Sequence, residues 1–364
     1  MRRADVVVLG GGLAGLTTAL ACSGRGLHVL IVAKGHAGAA SAASAGVLGP
    51  SIGRGPKGGR VGRFMFAARD QYPRFLAALH ERTALRVPVV DGALEVALND
   101  VHFDELRRRG SKMADTRILE PPEVAGLEPS LRPVAGALLH PYDGAVDPAA
   151  LLAAVAAAID AEPRITTMEA QALSISTAHR SLPAVTLSDG STLDAPHMVL
   201  ATGAWAGALG GLPRALPVRP VKGEMALARF DGGIRHVTFG AGGYLLPRDN
   251  GLLIGATSQD TEFDASVTDT ALQELGVTAT TLLNQWPPAG VTFRARYTGL
   301  RPMTPDGYPI LGEDPSAPGI VYACGYSRNG VLIAPLAADC LAALMVGEPP
   351  GFDLSAFAAT RFGG

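Results

Sequence analysis

The chain has 364 residues, 31 Lys+Arg against 33 Asp+Glu, and a formal net charge of −2. A protein that neutralises nucleic-acid phosphates needs a basic excess that is absent here, so that class is excluded. At roughly 150 residues per domain the length predicts two domains, and with 45 glycines and only 5% aromatics the packing must rest on small residues that let backbones and ligands approach closely.

Residues 5–34 read as strand, glycine-rich turn, helix, strand. Val6-Val7-Val8-Leu9 is a continuous apolar run, as in a parallel strand buried on both faces. Leu13, Leu16 and Leu20 recur at helical spacing, Gly24 and Gly26 end that helix, and His28 to Val32 forms a second strand. The start looks superficially like a leader, Met1-Arg2-Arg3 before an apolar run to Cys22. Asp5 and the glycines at 10, 11, 12 and 15 interrupt that run, so no leader is expected. No stretch reaches the ~18 uninterrupted apolar residues of a membrane span. Cys22, Cys324 and Cys340 form no CxxC pair, which suggests neither a disulfide framework nor a zinc site and fits a reducing, cytoplasmic setting.

Residues 35–60 are rich in Gly, Ala, Ser and Pro and imply loops near a ligand or another backbone. Phe64, Phe75, Leu76 and Leu79 predict a helix over 64–85. Residues 86–145 read as short strands, Ala93 to Leu98 among them, with turn residues and a break at Glu120-Pro121-Pro122-Glu123. Asp147-Pro148 starts a helix over 149–161, with Asp as N-cap and Pro in first position. Strands follow near 165–175 and 184–187, then the turn Ser188-Asp189-Gly190-Ser191 and a strand from Met198 to Ala201. Over 214–300 the β-like runs Glu224 to Ala228, Gly243 to Leu246, Leu252 to Ile254 and Val291 to Tyr297 surround one helix, 268–286. Ile320 to Ala323 is the last strand, and Val331 to Met345 the last helix. The fold class is therefore α/β. A Rossmann-like nucleotide-binding domain is assembled from 1–85, 146–210 and 301–364, and the insertions 86–145 and 211–300 form a mostly antiparallel second domain.

Gly10-x-Gly12-x-x-Gly15 follows a strand and opens a helix. The first glycine permits the tight turn, the second lets a pyrophosphate approach, and the third lets helix pack on strand. Free N–H groups at the helix start, those of Leu13 and Ala14 included, then face the phosphate. The acidic residue expected about 20 positions on, which would bind ribose hydroxyls, is replaced by Ala33-Lys34. Either Lys34 and backbone groups hold the ribose, or the ligand carries a 2′-phosphate. The fingerprint alone does not separate FAD from NAD(P).

Five further stretches add to it: Ala42-Ala43-Ser44-Ala45-Gly46-Val47-Leu48; Leu200-Ala201-Thr202-Gly203-Ala204-Trp205; Arg219-Pro220-Val221-Lys222-Gly223-Glu224; Gly299-Leu300-Arg301-Pro302 with Thr304-Pro305-Asp306-Gly307; and Gly325-Tyr326-Ser327-Arg328-Asn329-Gly330-Val331. In this order, over essentially the whole chain, they resemble the FAD-dependent D-amino acid oxidase superfamily, and within it the glycine oxidase branch. The bulk-free loop, from Ser41 through Val47, is able to lie along a flavin. Ala201-Thr202-Gly203 ends a buried strand at the edge where ligands of open α/β sheets sit. Gly325 to Gly330 precedes a helix whose free N–H groups suit the flavin's oxygens. The resemblance also brings Ala170, Trp205 and Val331 into the cofactor site, and it implies FAD held non-covalently, since Arg294-Ala295-Arg296-Tyr297 carries no cysteine for a covalent link.

On the substrate side the resemblance places a carboxylate-binding arginine at Arg301, where a two-point guanidinium fork would fix the α-carbon over the ring. Its alternative is an interdomain ion pair. Tyr244 matches a tyrosine whose hydroxyl also meets the carboxylate; the alternative is a core tyrosine. Arg328 matches an arginine near the substrate or, alternatively, stabilises its own loop. Gly242 stands where some glycine oxidases carry His and Ser258 where a relative carries Met, so the pocket is expected to be roomier and more polar than one made for glycine. None of the eight histidines, His36 and His179 among them, shows metal spacing. The expected activity is oxidation of the Cα–N bond of a small amino acid or amine to an imine, by hydride transfer to flavin N5, with O2 or another acceptor; homo-oligomerisation is left open. The alternatives are an FAD-dependent 2-hydroxy acid dehydrogenase, an NAD(P)-dependent reductase, and a flavin-binding protein without catalysis.

Overall fold

The computed structural model describes residues 4–52, 58–177, 182–248, 251–286 and 293–363. Met1 to Arg3, part of the small-residue stretch 35–60 (residues 53–57), His179 and Val291 lie outside the described residues.

Val6–Leu9 is buried along its whole length near the middle of a six-stranded sheet. Val29–Ala33 and His197–Leu200 flank it in parallel, followed outward by Ile165–Glu169 on one side and Ile320–Cys324 on the other, also parallel. Ile310–Glu313 closes one edge antiparallel. Successive side chains of a strand point to opposite faces. Val6, Val8, Val29 and Ile31 therefore pack under the helices Leu13–Gly24, Gly59–Thr83, Pro148–Asp160 and Gly330–Met345. Val7, Leu9 and Val32 meet Ile175, Val185 and Leu187 of a small three-stranded sheet on the other side. Burial on both faces is why these strands read as unbroken apolar runs.

The second sheet has nine strands. In order they are Phe293–Met303, Arg219–Arg229, Gly251–Gly255, Gly243–Arg248, Val237–Gly240, Val89–Ala97, Gly136–Val146 and Val47–Leu48, with Arg117–Leu119 also on Gly136–Val146. All pairs are antiparallel except Val237–Gly240 with Val89–Ala97. One face buries Leu94, Ala226, Leu245 and Ile254 against the helix Asp269–Leu282. The other face carries Met225, Phe239 and Tyr244.

Three local readings change. The helix Asp100–Gly110 stands where only strands and turns were expected: Asn99 Oδ1 accepts from His102 N at 2.9 Å, and Phe103 and Leu106 are buried. Glu120-Pro121-Pro122-Glu123 is a helix start rather than a break. Proline costs nothing in the first turn, where its missing N–H has no partner anyway, and Glu120 and Glu123 form a reciprocal capping box at the start of Pro121–Leu127. The helix expected over 268–286 spans Asp269–Leu282, with the Thr268 hydroxyl as its N-cap.

Candidate active site

The C-terminal ends of Val6–Leu9, His197–Leu200 and Ile320–Cys324 open on a cavity of about 930 Å³, whose far wall is the Tyr244-bearing face of the nine-stranded sheet. Gly10 adopts φ +123°, and a Cβ there would stand 2.3 Å from Ala201 O. A Cβ on Gly15 would stand 2.0 Å from Gly10 O. Gly15 thus sets the helix-to-strand contact and does not line the cavity, whereas Gly10, Gly12, Leu13 and Ala14 do. Gly12 begins the helix without a side-chain cap, and the Leu13 N–H donates to Ser41 Oγ at 3.0 Å. Ala33 and Lys34 line the cavity. Glu169 lies opposite Ala33 in register but is not on its wall.

Ser41, Ala42, Ser44, Ala45, Gly46 and Val47 all face the cavity, but a ligand is not the only reason for their size. A Cβ on Gly299 would meet Ala43 Cβ at 2.9 Å, and one on Gly46 would meet Val146 O at 2.0 Å. Leu300 N donates to Gly38 O at 2.8 Å. Arg248 donates to Ala45 O at 3.0 Å while pairing with Asp147 at 3.3 Å. The loop is therefore fastened to the nine-stranded sheet, and by Ser41 to the start of the helix Leu13–Gly24. Ala170, Ala201, Thr202, Gly203 and Trp205 complete one side of the cavity; Gly325, Ser327, Arg328, Asn329, Gly330 and Val331 complete the other. Trp205 stacks on His36 at 4.5 Å and on Phe263 at 5.7 Å, which gives His36 a place that its spacing did not suggest. The Leu13 N–H, expected to be free for a phosphate, is taken by Ser41, but a helix start with glycine as its N-cap, a small-residue loop and a wall without Asp or Glu among the described residues suit the pyrophosphate and ring of a dinucleotide.

Arg301 lies on Phe293–Met303 with its guanidinium over Gly223, where a Cβ would stand 2.1 to 2.3 Å from it. Its Nη1 donates to Thr257 O at 3.1 Å and Lys222 O at 3.3 Å, and no carboxylate meets it among the described residues. Burial holds its pKa below the ordinary value; Tyr244 opposes this and nearby Arg328 adds to it. The group remains a cation. Tyr244 sits opposite Gly255, where a Cβ would stand 2.3 Å from the phenol. Its hydroxyl donates to Met225 Sδ at 2.8 Å, and burial pushes its pKa up, against the pull of Arg301 and Arg248, so it stays protonated. Arg328 is exposed and has no carboxylate partner among the described residues. Gly242, Thr257 and Ser258 also line this end.

Sequence reading noted 219–224 without a role. Lys222 and Glu224 are each 1% exposed. Lys222 Nζ donates to Asp264 Oδ2 at 3.0 Å and Ser266 O at 3.1 Å, and the Glu224 carboxylate accepts from Thr268 N at 2.7 Å and Thr268 Oγ1 at 3.0 Å. The two side chains fasten the loop that brings Thr257 and Ser258 to the cavity. Gly223, Gly255 and Met225 were missed because their work is to leave room or accept across strands, which register alone reveals.

The family model for FAD-dependent oxidoreductases matches residues 5–344. Glycine oxidase of Geobacillus kaustophilus is 34% identical, over 99% of this chain and 97% of that one. The crystal structure of glycine oxidase from Geobacillus kaustophilus superposes with a TM-score of 0.92 at 32% identity, covering 99% of both chains. That of iminodiacetate oxidase from Chelativorans sp. BNC1 gives 0.87 at 26%, covering 97% of this chain and 98% of that one. The choice between FAD and NAD(P), open at the glycine fingerprint, is thereby made: this chain belongs to the family of FAD-dependent oxidoreductases.

Proposed function

We propose that this enzyme oxidises the Cα–N bond of a small amino acid or amine, with Arg301 as the clamp on the substrate carboxylate. The observation that carries the reading is a half-buried guanidinium on the cavity wall with no anionic partner among the described residues. Burying an uncompensated charge is costly, so an arriving carboxylate completes the site. Bound FAD would supply the acceptor for the hydride leaving the α-carbon, with the imine formed as the nitrogen loses a proton and with O2 or another acceptor taking up the two electrons; the residues of this chain would hold the carboxylate and orient the α-carbon.

The segments 1–85, 146–210 and 301–364 hold the cofactor, the glycine turn taking the pyrophosphate, Lys34 and its neighbours the ribose, and 41–47 with 325–331 the ring. The segments 86–145 and 211–300 hold the substrate together with Arg301, at the start of the segment 301–364. Tyr244, kept protonated by burial, donates to the carboxylate beside Arg301. With cations and no acids on this wall among the described residues, an ammonium is disfavoured, and the neutral amine that hydride transfer requires is favoured. Cys324 lines the cavity, but burial pushes its thiol up to about 12. It is therefore no nucleophile at neutral pH, which supports non-covalent flavin. The work needs only a small-molecule substrate and an electron acceptor. No helix among the described residues is long and apolar enough to cross a membrane, and a cytoplasmic site of action fits this chemistry. Anaerobic mixing with glycine, sarcosine and D-amino acids tests the reading: loss of the yellow colour supports it, and bleaching by 2-hydroxy acids with none by amines overturns it.

A further inference from the structure

The strands Val29–Ala33 and His197–Leu200 flank Val6–Leu9 on its two sides. The chain leaves the first toward His36 and the second toward Trp205. These two rings stack at 4.5 Å with 25° between their planes, and both line the cavity. They therefore span the gap between the two strand ends, across the glycine turn that leaves the strand between them. That turn touches both sides: a Cβ on Gly10 would stand 2.3 Å from Ala201 O, and one on Gly11 would stand 2.9 Å from Ala33 Cβ. Thr202 Oγ1, on the Trp205 side, is buried and has no hydrogen-bond partner among the described residues, so it is available to a cofactor lying along the turn.

A third ring comes from the nine-stranded sheet. Phe263 stacks on Trp205 at 5.7 Å with 23° between the planes, although it is 46% exposed. Its neighbour Glu262 takes φ +50°, a conformation that costs a non-glycine residue energy and persists only where the surroundings fix it. The surroundings do so at both ends of the segment 258–268. Lys222 and Gln259 exchange backbone hydrogen bonds at 2.8 and 2.9 Å. Lys222 Nζ donates to Asp264 Oδ2 at 3.0 Å and Ser266 O at 3.1 Å, and Thr268 N donates to Glu224 at 2.7 Å. Ala265 reaches the segment that carries His36: a Cβ on Gly38 would stand 2.8 Å from Ala265 Cβ.

We infer that FAD is retained by a three-ring clasp, His36–Trp205–Phe263, held across the glycine turn by the segment 258–268. The acid that would grip the ribose is absent at Ala33, and the clasp supplies retention at that end instead. His36 and Trp205 border the cofactor. Phe263 does not line the cavity, so it is a positioning residue that acts through Trp205. The rings must separate for FAD to leave, which makes release of the cofactor, rather than oxidation of any particular substrate, the property they govern.

The test measures release directly. FAD-loaded protein is diluted below its dissociation constant, and the flavin fluorescence is followed. Phe263→Ala should speed release by about 2- to 10-fold, as expected for one lost aromatic pair, and Phe263→Tyr should stay near wild type. His36→Ala should speed release by about the same factor, and His36→Phe, which keeps a ring without the imidazole nitrogens, should restore slow release. Asp264→Asn, which removes the ion pair with Lys222, should also speed it. Val277→Ala truncates a side chain that is 64% exposed on the helix Asp269–Leu282 and should release FAD at the wild-type rate. Wild-type release from both Phe263→Ala and His36→Ala would overturn the inference. Release from His36→Phe as fast as from His36→Ala would overturn it too, because the imidazole would then hold the cofactor by its nitrogens and not as part of a stack.

Discussion

Gly223→Ala is the sharpest local perturbation that the geometry offers. The strand conformation at 223 accepts alanine, and the three atoms nearest the new Cβ, at 2.1, 2.2 and 2.3 Å, are Nη2, Cζ and Nη1 of Arg301. No real Cβ tolerates such contacts, and the atom that yields is the end of a flexible side chain rather than backbone. The guanidinium must therefore move, giving up its hydrogen bonds to Thr257 O and Lys222 O. At about 1 kcal/mol each, the stability loss should be near 2 kcal/mol. The substrate loses a charge-assisted pairing of about 1.5–3 kcal/mol, which corresponds to roughly a 10- to 150-fold fall in kcat/KM, since 1.4 kcal/mol is tenfold. The assay is steady-state oxidation of the best amino acid, with FAD content and thermal midpoint measured on the same preparation. Unchanged kcat/KM with alanine in place would mean that Arg301 does not grip the carboxylate. Loss of flavin would place Gly223 in the cofactor site instead.

Other outcomes follow from neighbouring contacts. Gly10→Ala drives a Cβ against Ala201 O, a backbone atom that cannot step aside; FAD retention on gel filtration and the thermal midpoint should both fall. Tyr244→Phe removes the phenol beside Arg301 and should lower kcat/KM by about tenfold. Because burial raises the Tyr244 pKa, no loss of activity assignable to this group should occur below pH ~10, its ordinary value; a titration at lower pH that vanishes in the Phe variant would refute this. Asp314 is 1% exposed. Burial opposes its ionisation, but bonds from Arg214, Ser316 and Tyr322 outweigh burial and hold its carboxyl below the usual range. The stability it contributes is therefore present in full above about pH 4 and is lost as pH falls below that. Asp314→Asn should cost about 3–5 kcal/mol at neutral pH by stranding Arg214, with a smaller difference from wild type in acid melts.

The nucleotide-binding half of the fold was legible because its signals are local. Val6 to Leu9, the three glycines and the leucines at 13, 16 and 20 lie within fifteen residues, and each meets its partner in the order the sequence implies. The Asp147-Pro148 helix start was equally readable, its Asp147 Oδ1 accepting from Ala150 N at 2.9 Å. The stretch 86–145 was not. The helix Asp100–Gly110 is mostly polar, and the apolar side chains that it buries, Phe103 and Leu106, are too few to print a helical stripe; they pack with Ala97 and Leu138 of the flanking strands. At the site, Arg301, Tyr244 and Arg328 were found through resemblance, whereas Gly223, Gly255, Lys222 and Glu224 act across strand pairs and a loop contact some 40 residues away. Such pairings depend on register, which no spacing along one segment reports.

One comparison reaches the centre of the account: single-turnover flavin reduction by wild type and Arg301→Ala, each titrated with the best amino acid and with a carboxyl-free amine. The variant should keep FAD, saturate with the amino acid only at a concentration about 10- to 100-fold higher, and match wild type on the amine. A variant that sheds FAD, or that handles the amino acid as wild type does, would contradict the claim that this guanidinium grips the substrate's acid group.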